Sequence, residues 1–255
     1  MTDPFGAYAR FYDLDVGQVD DDLFMIREFA ARTGSPILEL ACGTGRVLLP
    51  LAREGHQLTG VDISAAMLEL ARQKLNAEGL ASRVNLVEQD MRHLDLDSRF
   101  NIALVALSSF SHLLTLDDQM ASLQRIFEHL NPGGLLLLDL FNPDLERLLD
   151  FRGQLVLDKV MIDPASGRRL LKFRTETVDL AQQIIEVTYV VDEVGEQGAV
   201  QRTLFPFRMR YLFRYELELL LRHAGFELES IYGSYDLDEF DSASDCLVAI
   251  ARRPS

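Results

Sequence analysis

Cysteine, positive charge and long apolar runs are scarce in this 255-residue chain, and each shortage removes a class of function. The two cysteines, Cys42 and Cys246, form no pair at metal-ligand or redox spacing, so both read as reduced thiols of a cytoplasmic protein. Basic residues number 25 against 40 acidic ones, and the net charge of -15 disfavours attraction to phosphate backbones or anionic membrane surfaces. No nucleic-acid or membrane partner is therefore expected. No apolar run approaches membrane-spanning length, and Met1-Thr2-Asp3-Pro4 has neither the basic start nor the apolar stretch of a signal peptide. No internal repeat or low-complexity tract is visible either.

What is present is ordinary for a soluble enzyme: 48% hydrophobic and 25% charged residues, enough to bury a core. After a helix expected over 20–32, strand patterns at 37–41, 57–61, 83–88, 101–107 and 135–141 alternate with helices at 45–54, 64–76 and 116–130. The last of these helices is the clearest. Leu116, Met120, Leu123, Phe127 and Leu130 recur at helical spacing behind Thr115, Asp117 and Asp118. Such alternation predicts an α/β fold with a parallel sheet covered by helices on both faces. From 154 to 213 the period drops to two, as in Ile185, Val187, Tyr189, Val191 and Phe205, Phe207, Met209, Tyr211, Phe213. This stretch predicts an antiparallel β insertion after the fifth strand, covering the active site or forming the interface of a homodimer. A helix over 214–223, stopped by Gly225, and strands at 226–232 and 245–251 complete a core made of 1–153 and 214–255.

The chemistry concentrates at Ile37-Leu38-Glu39-Leu40-Ala41-Cys42-Gly43-Thr44-Gly45, a buried strand running into a Gly-x-Gly turn. Glycine there lets the chain turn sharply and lets a ligand lie on bare backbone. The helix expected from Gly45 would offer its free N–H groups. Asp62 closes the next strand, where its carboxylate suits the two hydroxyls of an unphosphorylated ribose. Nicotinamide and S-adenosylmethionine enzymes both use this arrangement. A dinucleotide fingerprint through Gly43 and Gly45 needs a third glycine where Leu48 stands. The pattern Glu39-x-Ala41-x-Gly43-x-Gly45 instead resembles the first motif of the class I S-adenosylmethionine-dependent methyltransferases, with Ala41 in place of a glycine.

The resemblance continues through Val61-Asp62-Ile63-Ser64, Met67-Leu68, Gln89-Asp90-Met91-Arg92 and His129 to Gly134, covering about residues 37–142. It implies a Rossmann-like sheet and S-adenosylmethionine as cofactor. The implied contacts are Glu39, Ala41, Cys42, Gly43, Thr44 and Gly45 in the turn, Asp62 on the ribose, Ile63, Met67 and Met91 near the adenine, Asp90 facing its amino group, and Leu107. Ser108-Ser109-Phe110-Ser111-His112-Leu113, together with the insertion and Tyr211 to Leu217, is similar to small-molecule N-methyltransferases of the aminosugar and glycine/sarcosine type. That narrower resemblance implies Tyr12 at the cofactor, His112 beside the acceptor amine, and Phe141 and Asn142 lining the pocket.

From position alone, His112 follows the fourth strand, where catalytic groups of such sheets gather, and it can take a proton from an ammonium or hydroxyl. The plainer reading is that it caps its loop on a backbone carbonyl. His129 and His223 in last helical turns suit the helix dipole as partly positive imidazoles, and His56 and His93 read as exposed. Tyr12 could equally pack on the helix at 20–32. Neither Asn-Pro-Pro-Tyr nor Asp-Pro-Pro-Tyr follows the fourth strand, against base or glutamine-amide methylation, and Asp139 and Asn142 do not make a metal site. The expected activity is methyl transfer to a small-molecule amine. O-methylation, methylation of a peptide amine, a non-methylating S-adenosylmethionine-binding protein and a nicotinamide oxidoreductase are the alternatives. On this reading, calorimetry shows micromolar binding of S-adenosylhomocysteine, about -8 kcal/mol, and none of NAD, with Asp62→Ala weakening the former.

Overall fold

The computed structural model describes residues 3, 5–150 and 152–255. Its central sheet has seven strands: β1 (Ile37–Leu40), β2 (Leu58–Asp62), β3 (Val84–Glu88), β4 (Phe100–Val105), β5 (Leu130–Phe141), β10 (Glu227–Tyr232) and β11 (Cys246–Arg252). Their order is β3-β2-β1-β4-β5-β11-β10. β1 pairs in parallel with β2 on one side and β4 on the other, while β11 runs antiparallel to both β5 and β10. The chain winds outward from β1 to β3 and then crosses back to β4. The crevice at the carboxyl ends of β1 and β4 is thus the switch point where such sheets bind ligands.

Alternation along the strands divides the core. Leu38, Leu40, Ala103, Val105, Leu136 and Leu138 face one side, under α5 (Leu116–His129) and α7 (Arg214–His223). Ile37, Ile102, Leu104, Leu135 and Leu137 face the other, under α2 (Leu23–Thr33), α3 (Leu48–Arg53) and α4 (Ala65–Ala77). By the same alternation Glu39 and Asp139 lie on the α2–α4 side, each buried at a strand's carboxyl end.

Several boundaries depart from expectation for local reasons. The helix after the glycine turn begins at Leu48 rather than Gly45, because Gly43 and Gly45 hold φ of +53° and +83°. β5 pairs Leu130 with Phe100 and then resumes at Leu135 opposite Ile102, so Asn131 to Gly134 bulge within one strand that follows α5 directly. Two short helices without a clear sequence period, α1 (Ala9–Asp15) and α6 (Leu145–Asp150), flank the core.

A second sheet, β6 (Val156–Ile162), β7 (Arg169–Asp179), β8 (Ile184–Val194) and β9 (Val200–Arg210), is antiparallel throughout. Turns at 163–168, 180–183 and 195–199 separate its strands. Its inward side chains, including Leu170, Val191 and Phe205, close on Phe11 of α1 and on Tyr8 just before it. The joint is also ionic. Lys172 reaches Asp15 at 2.5 Å and Asp158 at 3.0 Å, with Lys172 and Asp15 only 4% and 6% exposed, and Tyr8 Oη donates to Asp15 at 2.5 Å. Removing one partner of such a buried pair leaves the others uncompensated. Lys172→Ala is therefore expected to lower unfolding free energy in urea by about 3–5 kcal/mol, and a loss below about 1 kcal/mol would mean that solvent already screens the pair.

Candidate active site

Ala41, Gly43 and Gly45 all adopt positive φ, so the chain leaving β1 folds into a tight turn in which Ala41 bears strain that a glycine would not. The Gly43 N–H donates to Asp62 Oδ2 and the Ser64 N–H to Oδ1, each at 2.8 Å. Burial raises the Asp62 pKa, and these two backbone donors work against it. A Cβ on Gly43 would stand 3.8 Å from the Tyr12 ring. Beside it, Thr44 Oγ1 donates to Asp13 Oδ1 at 2.5 Å, and Lys74 of α4 holds the same carboxylate at 2.9 Å. The first helix is thereby fastened over the turn.

Beneath the turn, Arg46 and Asp22 form a bidentate buried pair with both contacts at 2.6 Å. Glu39 lies close to them, and its Oε2 is buried without a hydrogen-bond partner among the described residues. Burial pushes its pKa up to about 8; Arg46 opposes this, while Asp22 and Asp62 add to it. An orphaned carboxyl oxygen, a bare glycine under an aromatic ring and a backbone-anchored aspartate are what a ligand with a cationic end and a ribose requires. The residues present fit the cofactor.

At the carboxyl end of β4, Leu107 and Ser108 take left-handed φ of +48° and +56°. Asp139 accepts hydrogen bonds from the Leu107 and Ser108 backbone and, at 3.1 Å, from Tyr235 Oη. Ser108 Oγ accepts the Phe141 N–H at 2.9 Å. Burial lifts Asp139 to about 6 despite these donors. A cavity of about 460 Å³ opens here, lined by Leu107, Ser108, Asp139, Phe141, Tyr235 and Cys246 among others. A larger depression, about 610 Å³, lies at the amino ends of the strands around Pro36, Leu58 and Phe100, away from every group just described. The loop then brings His112 under β9, where its ring meets Phe5 at 5.1 Å and Phe207 at 5.6 Å. Burial lowers the His112 pKa, partly offset by a hydrogen bond to the Arg208 backbone, so the imidazole is neutral at pH 7.

The model of a methyltransferase domain matches residues 37–134. The cypemycin N-terminal methyltransferase of a Streptomyces species is 29% identical over 86% of this chain and 84% of its own length. Among solved structures, the CcbJ methyltransferase from Streptomyces caelestis is 26% identical, with a TM-score of 0.76 over 95% of this chain and 96% of that one. The chain is an S-adenosylmethionine-dependent methyltransferase. The S-adenosylmethionine-bound amino pentose methyltransferase CalS10 from Micromonospora echinaspora shares the fold, with 22% identity and a TM-score of 0.71 over 93% of each chain.

In this methyltransferase the turn residues, Tyr12 and Asp62 converge on one crevice. Cys42 packs behind the turn, against Gly60, and burial drives its thiol well above the ordinary range. Ile63 is half-buried at the crevice rim, whereas Met67 is buried in the first turn of α4. Asp90 is gripped by Arg92; partial burial opposes ionisation, but the Arg92 bonds hold its carboxyl below the usual range. Met91, next to it, packs at the core edge. Leu107 stands across β1 from these, and His112 sits apart on the loop after β4, under β9. Asn142 donates to the Ser244 carbonyl at 2.8 Å.

His129 departs from its expected charged state. It is buried, its Nδ1 donates to the Arg125 carbonyl at 2.7 Å and its Nε2 accepts the Leu96 N–H at 3.0 Å, an arrangement that requires a neutral ring. His56 is half-buried beside Ser35 Oγ at 3.3 Å rather than exposed, whereas His93 and His223 are exposed. The couples Arg46–Asp22, Asp13–Lys74 and Asp139–Tyr235 were not legible in the sequence, since their members stand 24, 61 and 96 residues apart. A single signal existed, an aspartate inside the otherwise apolar run of β5. Because burial against Phe207 lowers His112, Phe207→Ala is expected to move its pKa, followed by NMR, upward toward 6.5.

Proposed function

We propose that the enzyme methylates an amine nitrogen of a small molecule, with His112 as the general base. The observation that carries this reading is an imidazole buried between Phe5 and Phe207 on the loop leaving the carboxyl end of β4, where burial lowers its pKa. S-adenosylmethionine, when bound, supplies an electrophilic methyl group on a sulfonium. The chain's own part is orientation and proton handling. Gly43, Thr44, Gly45, Asp62 and Glu39 bind the cofactor, Tyr12 closes over it, and Ile63, Asp90 and Met91 border the adenine, with Leu107 at the opposite end. Ala41 and Cys42 shape the turn, and Met67 supports it from α4.

An amine arrives protonated and cannot attack until a proton leaves. His112 is able to accept that proton at neutral pH because burial keeps it unprotonated. The carboxylates of Asp21, Asp139 and Asp245 on the nearby cavity favour a cationic acceptor, and that cavity has no lysine or arginine among its lining residues. The relative that methylates an N-terminus makes a peptide α-amine the second acceptor class.

The insertion, 154–213, acts in this reading as the active-site cover, with 1–153 and 214–255 as the core. Exposed Leu157, Val160 and Ile162 on β6 support a homodimer, two free thiols support a cytoplasmic setting, and the acidic surface disfavours nucleic acid. Among the described residues no helix is long and apolar enough to cross a membrane. The test is an amine-acceptor screen followed by pH profiles. His112→Ala should lower the rate at pH 7 by about 10²–10⁴-fold and regain most of it at high pH, where the acceptor deprotonates unaided. An unchanged rate across the pH range would remove His112 from the mechanism.

A further inference from the structure

We infer that Asp139 is a positioning residue of the cofactor site: its carboxylate holds Leu107 and Ser108 in the left-handed turn that sets the end of β4 against the cofactor. The inference rests on the reading that Leu107 borders the cofactor. Three observations support it.

First, the chain leaving β4 carries two consecutive non-glycine residues at left-handed φ, Leu107 at +48° and Ser108 at +56°. Such a pair is costly for L-residues and persists only where neighbouring groups hold it. Second, Asp139 is the group that holds it. Successive N–H groups in such a turn converge on a concavity suited to an anion, and the Asp139 carboxylate accepts from both the Leu107 and the Ser108 backbone. The parallel ladder between β4 and β5 ends at Val105 and Leu138, so the next side chain takes over where the ladder stops. Ser108 Oγ accepts the Phe141 N–H at 2.9 Å and Ser109 Oγ donates to the Ala106 carbonyl at 2.7 Å, which fixes the turn on either side. Third, Asp139 is 2% exposed and stands between leucines at 135–138 and 140, so its carboxylate is desolvated where another leucine would pack. What it secures is the turn, which lies at the crevice where sheets of this order bind ligands and leads directly into the loop of His112.

The groups facing Asp139 are Tyr235 from the loop after β10, Asp22 ahead of α2, Cys246 of β11, and Asp21 and Asp245 on the same cavity; among the described residues no lysine or arginine joins them. Backbone donors and the Tyr235 hydroxyl, rather than a cation, thus keep the carboxylate ionised. Burial opposes them and lifts Asp139 to about 6. Above that pH the carboxylate accepts from both backbone groups and the turn is held. As pH falls through it, the acid forms and is the weaker acceptor. Loss of the Tyr235 donor raises the midpoint, because that bond favours the charged form.

The experiment combines calorimetric binding of S-adenosylhomocysteine with NMR of the Leu107 and Ser108 amides in the native enzyme, Asp139→Asn and Tyr235→Phe. Both amides should titrate together with a midpoint of about 6 in the native enzyme, at a higher pH in Tyr235→Phe, and not at all in Asp139→Asn. At pH 8, and at a temperature where the variant is fully folded, Asp139→Asn should weaken S-adenosylhomocysteine binding by about 10- to 100-fold, the loss of charge-assisted hydrogen bonds expressed as affinity. A residue serving stability alone would lower the unfolding temperature and leave that affinity unchanged. Unchanged affinity in folded Asp139→Asn, or amides that do not titrate with Asp139, would overturn the inference while leaving the cofactor reading intact. Absence of any S-adenosylhomocysteine binding to the native enzyme would remove both. Should Asp139→Asn fail to fold, Tyr235→Phe decides alone. Its dissociation constant relative to the native one, a ratio in which the titration of Glu39 and Asp62 cancels, should rise as pH falls from 8 to 6, and a constant ratio would overturn the inference.

Discussion

The contact between the Asp62 carboxylate and two backbone N–H groups, Gly43 before it and Ser64 after it, ties the end of β2 to the turn leaving β1. Neighbouring parallel strands are joined by ladder bonds only as far as their ends. Beyond Leu40 the chain must reverse, and Asp62 stands in for the missing ladder. The left-handed residues Ala41, Gly43 and Gly45 are tolerated because this anchor and Thr44–Asp13 fix them on both sides. Everything placed on the turn, from the Tyr12 ring to the position of Arg46, follows from that geometry.

The short first helix transmits this order outward. Tyr12 and Asp13 touch the glycine turn, whereas Asp15 at the end of the same helix and Tyr8, the residue before its start, belong to the joint with the second sheet. One element of seven residues thus touches both the glycine turn and the second sheet. Through β9, the second sheet in turn sets the environment of His112. The apolar aromatic wall and the buried ion pair act together here: the wall supplies the adhesion, and the charges fix one register between helix and sheet.

Acidity is concentrated on one side of the sheet. Glu39, Asp22, Asp62 and Asp139 are all buried near the carboxyl ends of the strands, with Arg46 paired to Asp22. Burial raises Glu39 to about 8 and Asp139 to about 6, while Asp139 remains satisfied by three donors and Glu39 does not. The difference separates a carboxyl that shapes a loop from one with a buried oxygen left unpaired among the described residues. It is a difference of hydrogen-bond partners and not of residue type.

The sheet, its order of helices and the antiparallel insertion were legible in the chain because hydrophobic periods of two and 3.6 are local properties, as was the cofactor turn because glycine spacing is local. The same is true of Asp62 at the end of an apolar strand and of His112 after the fourth. Short α1 and α6 escaped notice since one or two turns of helix draw their stability from tertiary contacts. The neutral state of His129, the orphaned oxygen of Glu39, the clamp of Asp139 on Leu107 and Ser108, and the anchoring of Lys172 on Asp15 depend on groups far apart in sequence. Sequence alone determined which side chains and turns this protein has and the periodicity that folds them. Tertiary structure alone decided which buried charges found partners, since pairing and desolvation are set by distances that exist only once the chain has closed.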